Sequence, residues 1–450
     1  MTFPRSAGIL LHPTSLPGPH GIGDLGPDAH RFLDVLADAG MTIWQMLPLG
    51  PTGYGDSPYQ CFSAFAGNPM LVHLSGAHAD FPAHTVDFGR VIEHKQALLR
   101  VATAALEPDD RYRDFVATQA GWLEDYALFM ALKQAHGGVS WTEWDPACAT
   151  REPAALRDWS ARLADSVEHY RREQYLFFVQ FHALKRAATE RGIRLMGDLP
   201  IYVAHDSADV WANRELFKLD AHGRPTVQAG VPPDYFSATG QLWGNPIYDW
   251  DALRAQGYEW WIRRMRGAFE HFDTVRIDHF RGFEAYWEVP GADTTAVRGQ
   301  WVKGPGAALF RAITDALGPL PIVAENLGVI TPAVEALREQ FGYPGMSILQ
   351  FAFGADGQAN DFQPHNFPRE RVVYTGTHDN DTTVGWWNSA GDGDSTRDAD
   401  QVALEKDFAR RYLGTDGHEM HWTLIRTALA SVASTVLIPL QDVLGLGSDA

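Results

Sequence analysis

The chain has 450 residues, of which 45% are hydrophobic and 21% charged, a composition typical of an ordinary globular protein. Its 37 basic and 56 acidic residues give a formal net charge of −19. This charge argues against binding to a nucleic-acid backbone or to an anionic membrane, because both need a basic surface. The two cysteines, Cys61 and Cys148, exclude a disulfide scaffold and a CxxC site, so a reducing cytoplasm is the expected compartment.

Neither a targeting segment nor a membrane span is predicted. The apolar run at residues 8–11 is too short for a signal peptide, and Pro and His follow it. No run of about 18 apolar residues occurs, which is the length that a spanning helix needs. At about 150 residues per domain the chain holds roughly three units, and one large barrel with insertions fits equally well.

Short apolar runs that recur along the chain predict buried parallel strands. Helical patterns separate many of them. Residues 27–39 place Ala29, Phe32, Leu33 and Leu36 on one face, with Pro27 at the first helical position, and residues 331–340 form a second such pattern. The runs cover residues 9–11, 42–49, 193–203, 274–280, 321–325, 347–353, 371–377 and 435–440.

Strands that alternate with helices predict an α/β fold, a (β/α)8 TIM barrel, and an open doubly wound sheet is the alternative. We expect one catalytic barrel domain over residues 1–450 with two insertions. Residues 56–190 predict a mostly helical subdomain after the second strand, because the interval is too long for a loop. Residues 204–273, rich in Trp, Gly, Pro and Tyr, predict a loop region after the third strand, on the face where barrel enzymes build their active sites.

Acidic residues stand at the ends of four predicted strands. They are Asp198, Asp278, Glu325 and Asp379. A single acid in such a place is often a helix cap or a turn former. Four together favour an active site, because barrel enzymes take catalytic groups from the ends of several strands.

The neighbours of these acids indicate their chemistry. Arg276 and Asp278 alternate onto the same side of one strand, and the arginine keeps the carboxylate ionised, as a nucleophile requires. Glu325 follows three apolar residues, and burial would raise its pKa toward that of a general acid. The pair resembles the two-carboxylate arrangement of glycoside chemistry, in which Asp379, His279 and His378 would contact sugar hydroxyls. The alternatives are that the Arg276–Asp278 pair only braces the barrel, that Glu325 only caps a helix or turn, and that each histidine is a hydrogen-bonded core residue.

Two other kinds of site, a metal centre and a dinucleotide-binding site, are the alternatives to a site for glycoside chemistry. His205, Asp206, His279, His378 and Asp379 resemble parts of a barrel metallohydrolase, but neither an HxH pair nor an HExxH motif is present, so no metal is predicted. Residues 21–26 read GIGDLG, a formal dinucleotide-binding pattern. They lie well beyond the first strand and lack the acidic partner, so we expect a loop that caps the following helix, and no cofactor.

Eight ordered segments resemble those of the 4-α-glucanotransferases of the amylomaltase (disproportionating enzyme) type. The resemblance extends from residue 6 almost to the end of the chain. The segments read SAGILLHPTSLPGP (6–19), LPLGPTGYGDSPYQ (47–60), SAFAGNP (63–69), GDLPIYVAHDSADVW (197–211), GVPPDYFSATGQLWGNPIYDW (230–250), RIDHFRGF (276–283), AENLG (324–328) and GTHDN (376–380).

The resemblance implies roles for individual residues. Asp278 would be the nucleophile, Glu325 the acid/base and Asp379 the stabiliser of the transition state. Tyr54 would belong to a second glucan-binding site, with a tyrosine that only packs the loop as the alternative. The remaining residues implied to bind substrate, including the acceptor side around residues 239–246, are Tyr59, Asp198, Trp243, Arg276, His279, Asn326 and His378.

The activity implied is retaining transfer of α-1,4-glucan segments from maltooligosaccharides to a glucan or to glucose, without a cofactor. An α-1,4-glucan hydrolase of the amylase type and a non-catalytic glucan-binding protein are the alternatives. One departure from the family pattern concerns the barrel itself. The chain stops at QDVLGLGSDA, soon after the eighth predicted strand, so we expect the last barrel helix to be absent.

Overall fold

The computed structural model describes residues 4–76, 79–233, 239–354, 359–391 and 399–450. Eight parallel strands form one sheet in the order β10-β11-β12-β1-β2-β3-β6-β9. Each corresponds to one of the runs predicted from the sequence, so the prediction of a (β/α)8 barrel is confirmed. The strands are β1 (Ser6–Leu10), β2 (Ile43–Gln45), β3 (Arg194–Leu199), β6 (Thr274–Ile277), β9 (Ile322–Ala324), β10 (Gly345–Ile348), β11 (Arg371–Tyr374) and β12 (Thr435–Pro439).

The sheet is nearly closed between its first and last strands. The Ala324 amide at the end of β9 donates to the Pro344 carbonyl just before β10, at 3.0 Å. Two residues beyond the end of β9, Asn326 Oδ1 accepts a hydrogen bond from the Met346 amide at 2.8 Å. These two bonds take up backbone groups that an open sheet would leave unpaired at its edges.

Helices separate most of these strands and also fill the first insertion. Their bounds are α1 (Pro27–Asp38), α2 (Phe88–Ala104), α3 (Asp110–Ala135), α4 (Pro146–Ala149), α5 (Pro153–Arg162), α6 (Ala164–Glu190), α7 (Ala208–Ala212), α8 (Trp250–Ala255), α9 (Glu259–His271), α10 (Ala307–Leu317), α11 (Pro332–Gln340), α12 (Thr383–Asn388), α13 (Ala399–Leu413), α14 (Met420–Ala430) and α15 (Leu440–Leu444). In the described part of the chain, none of them is long and apolar enough to cross a bilayer.

Both helices predicted residue by residue are present. In α1 the buried residues are the four predicted, and α11 begins at Pro332, one residue after its Thr331 cap. Gly26, the last residue of GIGDLG, caps α1, so this segment is a loop that leads into the helix, as expected. After β12 the sequence predicts no helix, whereas the structure has the five-residue α15, which ends before Gly445 at φ 65°.

A second sheet, which the sequence analysis did not predict, is antiparallel and has the order β5-β4-β7-β8. Its strands come from the second insertion and from the segment after β6. Part of the predicted loop at residues 239–246 is therefore a strand. The four strands are β4 (Val227–Val231), β5 (Gln241–Pro246), β7 (Ala285–Pro290) and β8 (Gln300–Lys303).

An apolar plug fills the barrel and determines where the polar strand ends lie. Met196 on β3 and Val323 on β9 belong to a buried cluster with residues of β2, β10, β11 and β12. Side chains two residues apart on a strand point to the same side. Asp198 and Glu325 therefore stand above this plug, at the carboxyl-terminal mouth of the barrel, where barrel enzymes carry their active sites.

Candidate active site

An open cleft of about 710 Å³ lies at the carboxyl-terminal mouth of the barrel, a size that suits a small-molecule or oligosaccharide ligand. Its wall comes from the ends of β3, β6 and β9, from the loop after β11, and from the antiparallel sheet. Most of the predicted site residues line it: Tyr59, Trp243, Arg276, Asp278, His279, Glu325, His378 and Asp379.

One buried arginine connects two of the predicted carboxylates. Arg276 Nη1 lies 2.8 Å from both carboxylate oxygens of Asp198 and 2.9 Å from Oδ1 of Asp278. Arg276 and Asp198 are opposite each other in the register of β6 and β3, which brings their side chains together. The guanidinium and the Asp198 carboxylate are almost completely buried, and their charges compensate each other there.

Glu325, directly after β9, is held by backbone amides on both of its carboxyl oxygens. Oε2 accepts from the His279 amide at 2.8 Å, and Oε1 accepts from the Leu327 amide at 2.7 Å. Burial is the main cause that raises its pKa to about 7; the nearby Asp278 carboxylate raises it further and Arg276 opposes the shift. A carboxyl group with this pKa exchanges its proton near neutral pH, so it can both donate and accept a proton, as an acid/base group must.

Tyr59 forms a hydrogen-bonded chain with Asp198 and His378. Its hydroxyl lies 2.9 Å from Asp198 Oδ2 and 2.6 Å from His378 Nε2, and its ring is stacked on the imidazole. Burial and the Asp198 charge raise the pKa of Tyr59 well above its ordinary value, so the phenol stays protonated. Because its single proton goes to the carboxylate, His378 Nε2 donates to the phenol oxygen.

His279 follows the Asp278 carboxylate directly and adopts a left-handed backbone conformation, with φ 51°. Burial lowers the pKa of its imidazole to about 4, so the ring is neutral. Its Nε2 is buried and has no hydrogen-bond partner among the described residues, and the ring stands edge-on to Trp243 at 4.8 Å. A buried polar atom of this kind in a cleft is available to a ligand hydroxyl.

Asp379 lies on a loop rather than at a strand end proper, and its side chain is 68% exposed. We call residues 375–383 the Asp379 loop. Within it, the Thr377 hydroxyl accepts from the Asp379 amide at 3.2 Å, and Asn380 Oδ1 accepts from the Thr377 amide at 2.9 Å. These short-range bonds shape the turn that presents the Asp379 carboxylate to the cleft.

Both ends of the Asp379 loop are bound by one buried carboxylate from α15. Asp442 Oδ2 accepts from the hydroxyls of Thr375 and Thr383, and Oδ1 accepts from the Thr383 amide at 2.7 Å. A further bond comes from Gln350, whose Nε2 donates to the Asp381 carbonyl at 2.9 Å. The conformation of the loop thus depends on residues far from it in the sequence.

Comparisons with known proteins show the family to which the chain belongs. A family model described as 4-alpha-glucanotransferase matches residues 11–450. The 4-alpha-glucanotransferase of Thermus thermophilus is 52% identical over 100% of this chain and 92% of its own length, and that of Synechocystis is 50% identical over 99% and 90%. The chain belongs to the 4-alpha-glucanotransferase family. The family membership predicted from the sequence, and with it an enzyme that is a transferase, is confirmed.

Solved structures place the fold in the same family. An amylomaltase from Streptococcus agalactiae in complex with acarbose superposes with a TM-score of 0.93 and is 38% identical, with 99% of this chain and 92% of that one covered. The amylomaltase from Corynebacterium glutamicum, at 19% identity, superposes with a TM-score of 0.78 over 97% of this chain and 68% of that one. The second likeness concerns the fold alone.

Three residues implied by the 4-alpha-glucanotransferase resemblance do not line the cleft. The Asp198 side chain is completely buried in its ion pair with Arg276. The Asn326 amide bonds Glu335 at 2.7 Å through Nδ2 and the Met346 amide through Oδ1, so it braces the β9–β10 junction. Tyr54 lies on the turn Tyr54–Asp56, is 91% exposed and does not line the cleft. Its placement is compatible with a separate site and contributes nothing to this one.

Two of the five residues that resemble metallohydrolase parts, His205 and Asp206, lie outside the cleft. Asp206 bonds Lys133 Nζ at 2.5 Å, and His205 Nε2 lies 2.7 Å from the Gly223 carbonyl, so both are engaged elsewhere. In the residues that the structure describes, no group of three or more His, Cys, Asp and Glu is arranged to hold a metal ion.

Gln241 and Asn245 of β5 line the cleft, within the residues 239–246 that the resemblance assigns to the acceptor side. Arg281 and Trp301 also line the cleft, and neither was predicted from the sequence. Arg281 belongs to the quoted RIDHFRGF segment and could have been singled out there. Trp301 gave no such signal, because the strand that carries it was not predicted.

Proposed function

We propose that this chain transfers α-1,4-glucan segments from a donor maltooligosaccharide to the 4-hydroxyl of an acceptor glucan or of glucose, with net retention of configuration. Asp278 is the nucleophile, Glu325 the acid/base and Asp379 the stabiliser of the transition state. The observation that carries this assignment is the buried Glu325 carboxyl, whose pKa is raised to about 7, next to an Asp278 carboxylate paired with Arg276. An acid and a carboxylate side by side are what a retaining glycoside mechanism needs.

In the first step Glu325 donates its proton to the glycosidic oxygen of an α-1,4 bond. The carbon–oxygen bond breaks, and Asp278 Oδ attacks the anomeric carbon to form a glycosyl ester. The shortened donor leaves with the proton as its new 4-hydroxyl. Positive charge develops on the sugar in this step, and the exposed Asp379 carboxylate is placed to stabilise it by electrostatic attraction.

In the second step the Glu325 carboxylate removes the proton from the 4-hydroxyl of an incoming glucan. That oxygen attacks the anomeric carbon and Asp278 departs as a carboxylate. Two inversions give net retention, and Glu325 ends the cycle protonated. The cycle balances without a cofactor, a metal ion or an oxidant.

The other residues of the cleft hold the reacting sugar. Arg276 is fixed by its ion pair with the buried Asp198, and Tyr59 is fixed by its two hydrogen bonds, so Arg276 and Tyr59 meet the substrate already oriented. The unpartnered Nε2 of neutral His279 is a donor or acceptor for a hydroxyl, and Trp243 presents an aromatic surface beside it. The acarbose complex of the Streptococcus agalactiae amylomaltase supports a glucan-like ligand for this fold.

Hydrolysis uses the same carboxylates with water as acceptor, so the carboxylates do not separate transferase from amylase. The names of the relatives at 52% and 50% identity favour transfer. A binding protein without activity has no need of a protonated Glu325 beside a paired aspartate.

The test is incubation with pure maltotriose, with the products resolved by length and the reducing ends counted. A ladder of glucose and longer maltooligosaccharides with a constant number of reducing ends is expected. An increase in reducing ends with only shorter products would replace the proposal by hydrolysis. Unchanged maltotriose, together with measurable binding of the sugar, would favour a binding protein.

A further inference from the structure

Trp301 stands on the cleft wall, on the edge strand β8 of the antiparallel sheet. It is 40% exposed, although a large apolar side chain at the surface of a cleft gains nothing from contact with water. Across the strand pair it faces Trp287, with ring centroids 5.2 Å apart and the planes inclined at 64°. This partner is itself fixed, since Trp287 Nε1 donates to the Ala296 carbonyl at 2.9 Å. The Trp301 ring is thus buttressed and partly exposed.

A buried arginine connects Trp301 to the segment that carries the acid/base. The guanidinium of Arg281 lies 3.7 Å from the centroid of the Trp301 ring, within cation–π distance. The same guanidinium donates through Nη1 to the Val329 carbonyl. Val329 lies two residues after Leu327, whose amide binds Glu325 Oε1. Trp301 therefore belongs to the wall on the Glu325 side of the cleft.

The position of the acid defines which part of a glucan lies on that side. Glu325 protonates the oxygen that joins the reacting sugar to the leaving group, so the leaving sugars extend past Glu325, and the acceptor later occupies the same place. Resting on the proposed function, we infer that Trp301 is a platform on which a glucose unit of the leaving group or acceptor stacks. The Arg281 guanidinium fixes the orientation of the ring.

The chemistry of the glucan fits such a platform. A pyranose ring presents a face of C–H groups, and an aromatic ring in van der Waals contact with it gains apolar burial without a hydrogen bond. Val329, also exposed and on the cleft wall, adds a second apolar side chain to the lining of the cleft. Stacking of this kind needs little side-chain ordering, because Trp301 is already held by Arg281 and Trp287.

The experiment measures binding of a maltooligosaccharide series, from maltose to maltoheptaose, by calorimetry in an E325Q background that prevents turnover. W301L removes the aromatic face and keeps apolar bulk over Arg281, so the fold is maintained. We expect W301L to raise the dissociation constant of maltoheptaose about three- to tenfold and that of maltose less. W301F keeps an aromatic ring and should restore most of the affinity.

W422A is the matched control, because Trp422 also lies beside an arginine, Arg426 at 6.0 Å, but does not line the cleft. It should leave every dissociation constant as it is. If W301L raised the dissociation constants of all the maltooligosaccharides equally, or raised none of them, the inference would be overturned. The wild-type maltotriose assay tests the proposed function separately. If transfer fails there while W301L still weakens binding in a length-dependent way, the platform stands and the transferase mechanism does not.

Discussion

The two halves of the proposed catalytic site are held in place in different ways. We call Asp198, Arg276, Asp278 and Glu325 the strand-end cluster. Its geometry follows from the register of β3, β6 and β9, and it is largely buried with its charges compensated or neutralised. The Asp379 loop is different, because its carboxylate is exposed and its shape depends on hydrogen bonds from Asp442 and Gln350. In the proposed mechanism, the groups that break and form bonds are thus positioned by the barrel, and the group that stabilises charge is positioned by tertiary contacts.

The largest loss is expected from E325Q. Glutamine fills the same space and cannot donate or accept the proton, so transfer from maltotriose should fall by about two to four orders of magnitude. With an activated donor such as a glycosyl fluoride, which leaves without an acid, E325Q should accumulate an ester on Asp278 visible by mass spectrometry of the peptide. The exposed Glu339 of α11 offers the control E339Q, which should behave as wild type. Transfer by E325Q within tenfold of wild type would contradict the assignment.

Replacing Arg276, the cation of the strand-end cluster, should lower both the stability and the activity. In R276M the Asp198 carboxylate is left buried without its partner, and the free energy of unfolding should fall by about 3–5 kcal/mol. Urea denaturation measures this. R298M is the control. It removes the exposed guanidinium that pairs with Asp293 and should change the denaturation curve little. Equal curves for R276M and wild type would show that the cluster does not depend on charge compensation.

The pH dependence of transfer should report the protonation of Glu325. Burial raises its pKa to about 7, so the acid form that the first step needs is present below that pH and is lost above it. The value of kcat/KM for maltotriose should therefore fall about tenfold per pH unit on the alkaline side of 7. A value that stays level from pH 6 to 9 would mean that Glu325 is not the group whose proton is transferred.

For the Asp379 loop, D442A is the informative change. It leaves the hydroxyls of Thr375 and Thr383 and one amide without their acceptor, and a small displacement of Asp379 should lower kcat about tenfold. The KM for maltotriose should change less, because the strand-end cluster is untouched. D442N keeps an oxygen for the Thr383 amide and should recover part of kcat, since hydroxyl groups can turn to accept from the new amide. If D442A lowered the free energy of unfolding but left kcat unchanged, Asp442 would have a purely structural role.

The same contrast explains which features of the structure could be predicted from the sequence. The eight barrel strands and their terminal acids could be predicted, because each is a short apolar run followed by polar residues, a local pattern. The antiparallel sheet could not, since β8 is mostly exposed and β4 pairs with β7 across more than fifty residues of chain. Asp442 carries no local sign of its contact with Thr375. The resemblance assigns Asn326, adjacent to Glu325, to the sugar, whereas the structure shows its side-chain amide bonded to Glu335 and to the Met346 amide of β10.

The smallest effect is expected from substitutions at Tyr54, because only the resemblance to the 4-alpha-glucanotransferases assigns this residue a role. It belongs to neither the strand-end cluster nor the Asp379 loop, and its exposed ring can offer a glucan only one loosely held surface. Y54A should therefore weaken binding of long amylose chains by less than about threefold, and Y54F should restore it. Binding of maltotriose should change less still, since a sugar that fills the cleft is too short to reach a second site. If Y54A instead impaired maltotriose transfer as strongly as D442A, the turn at Tyr54–Asp56 would have to close over the cleft during the reaction, and the exposed position described here would be the open state of that turn.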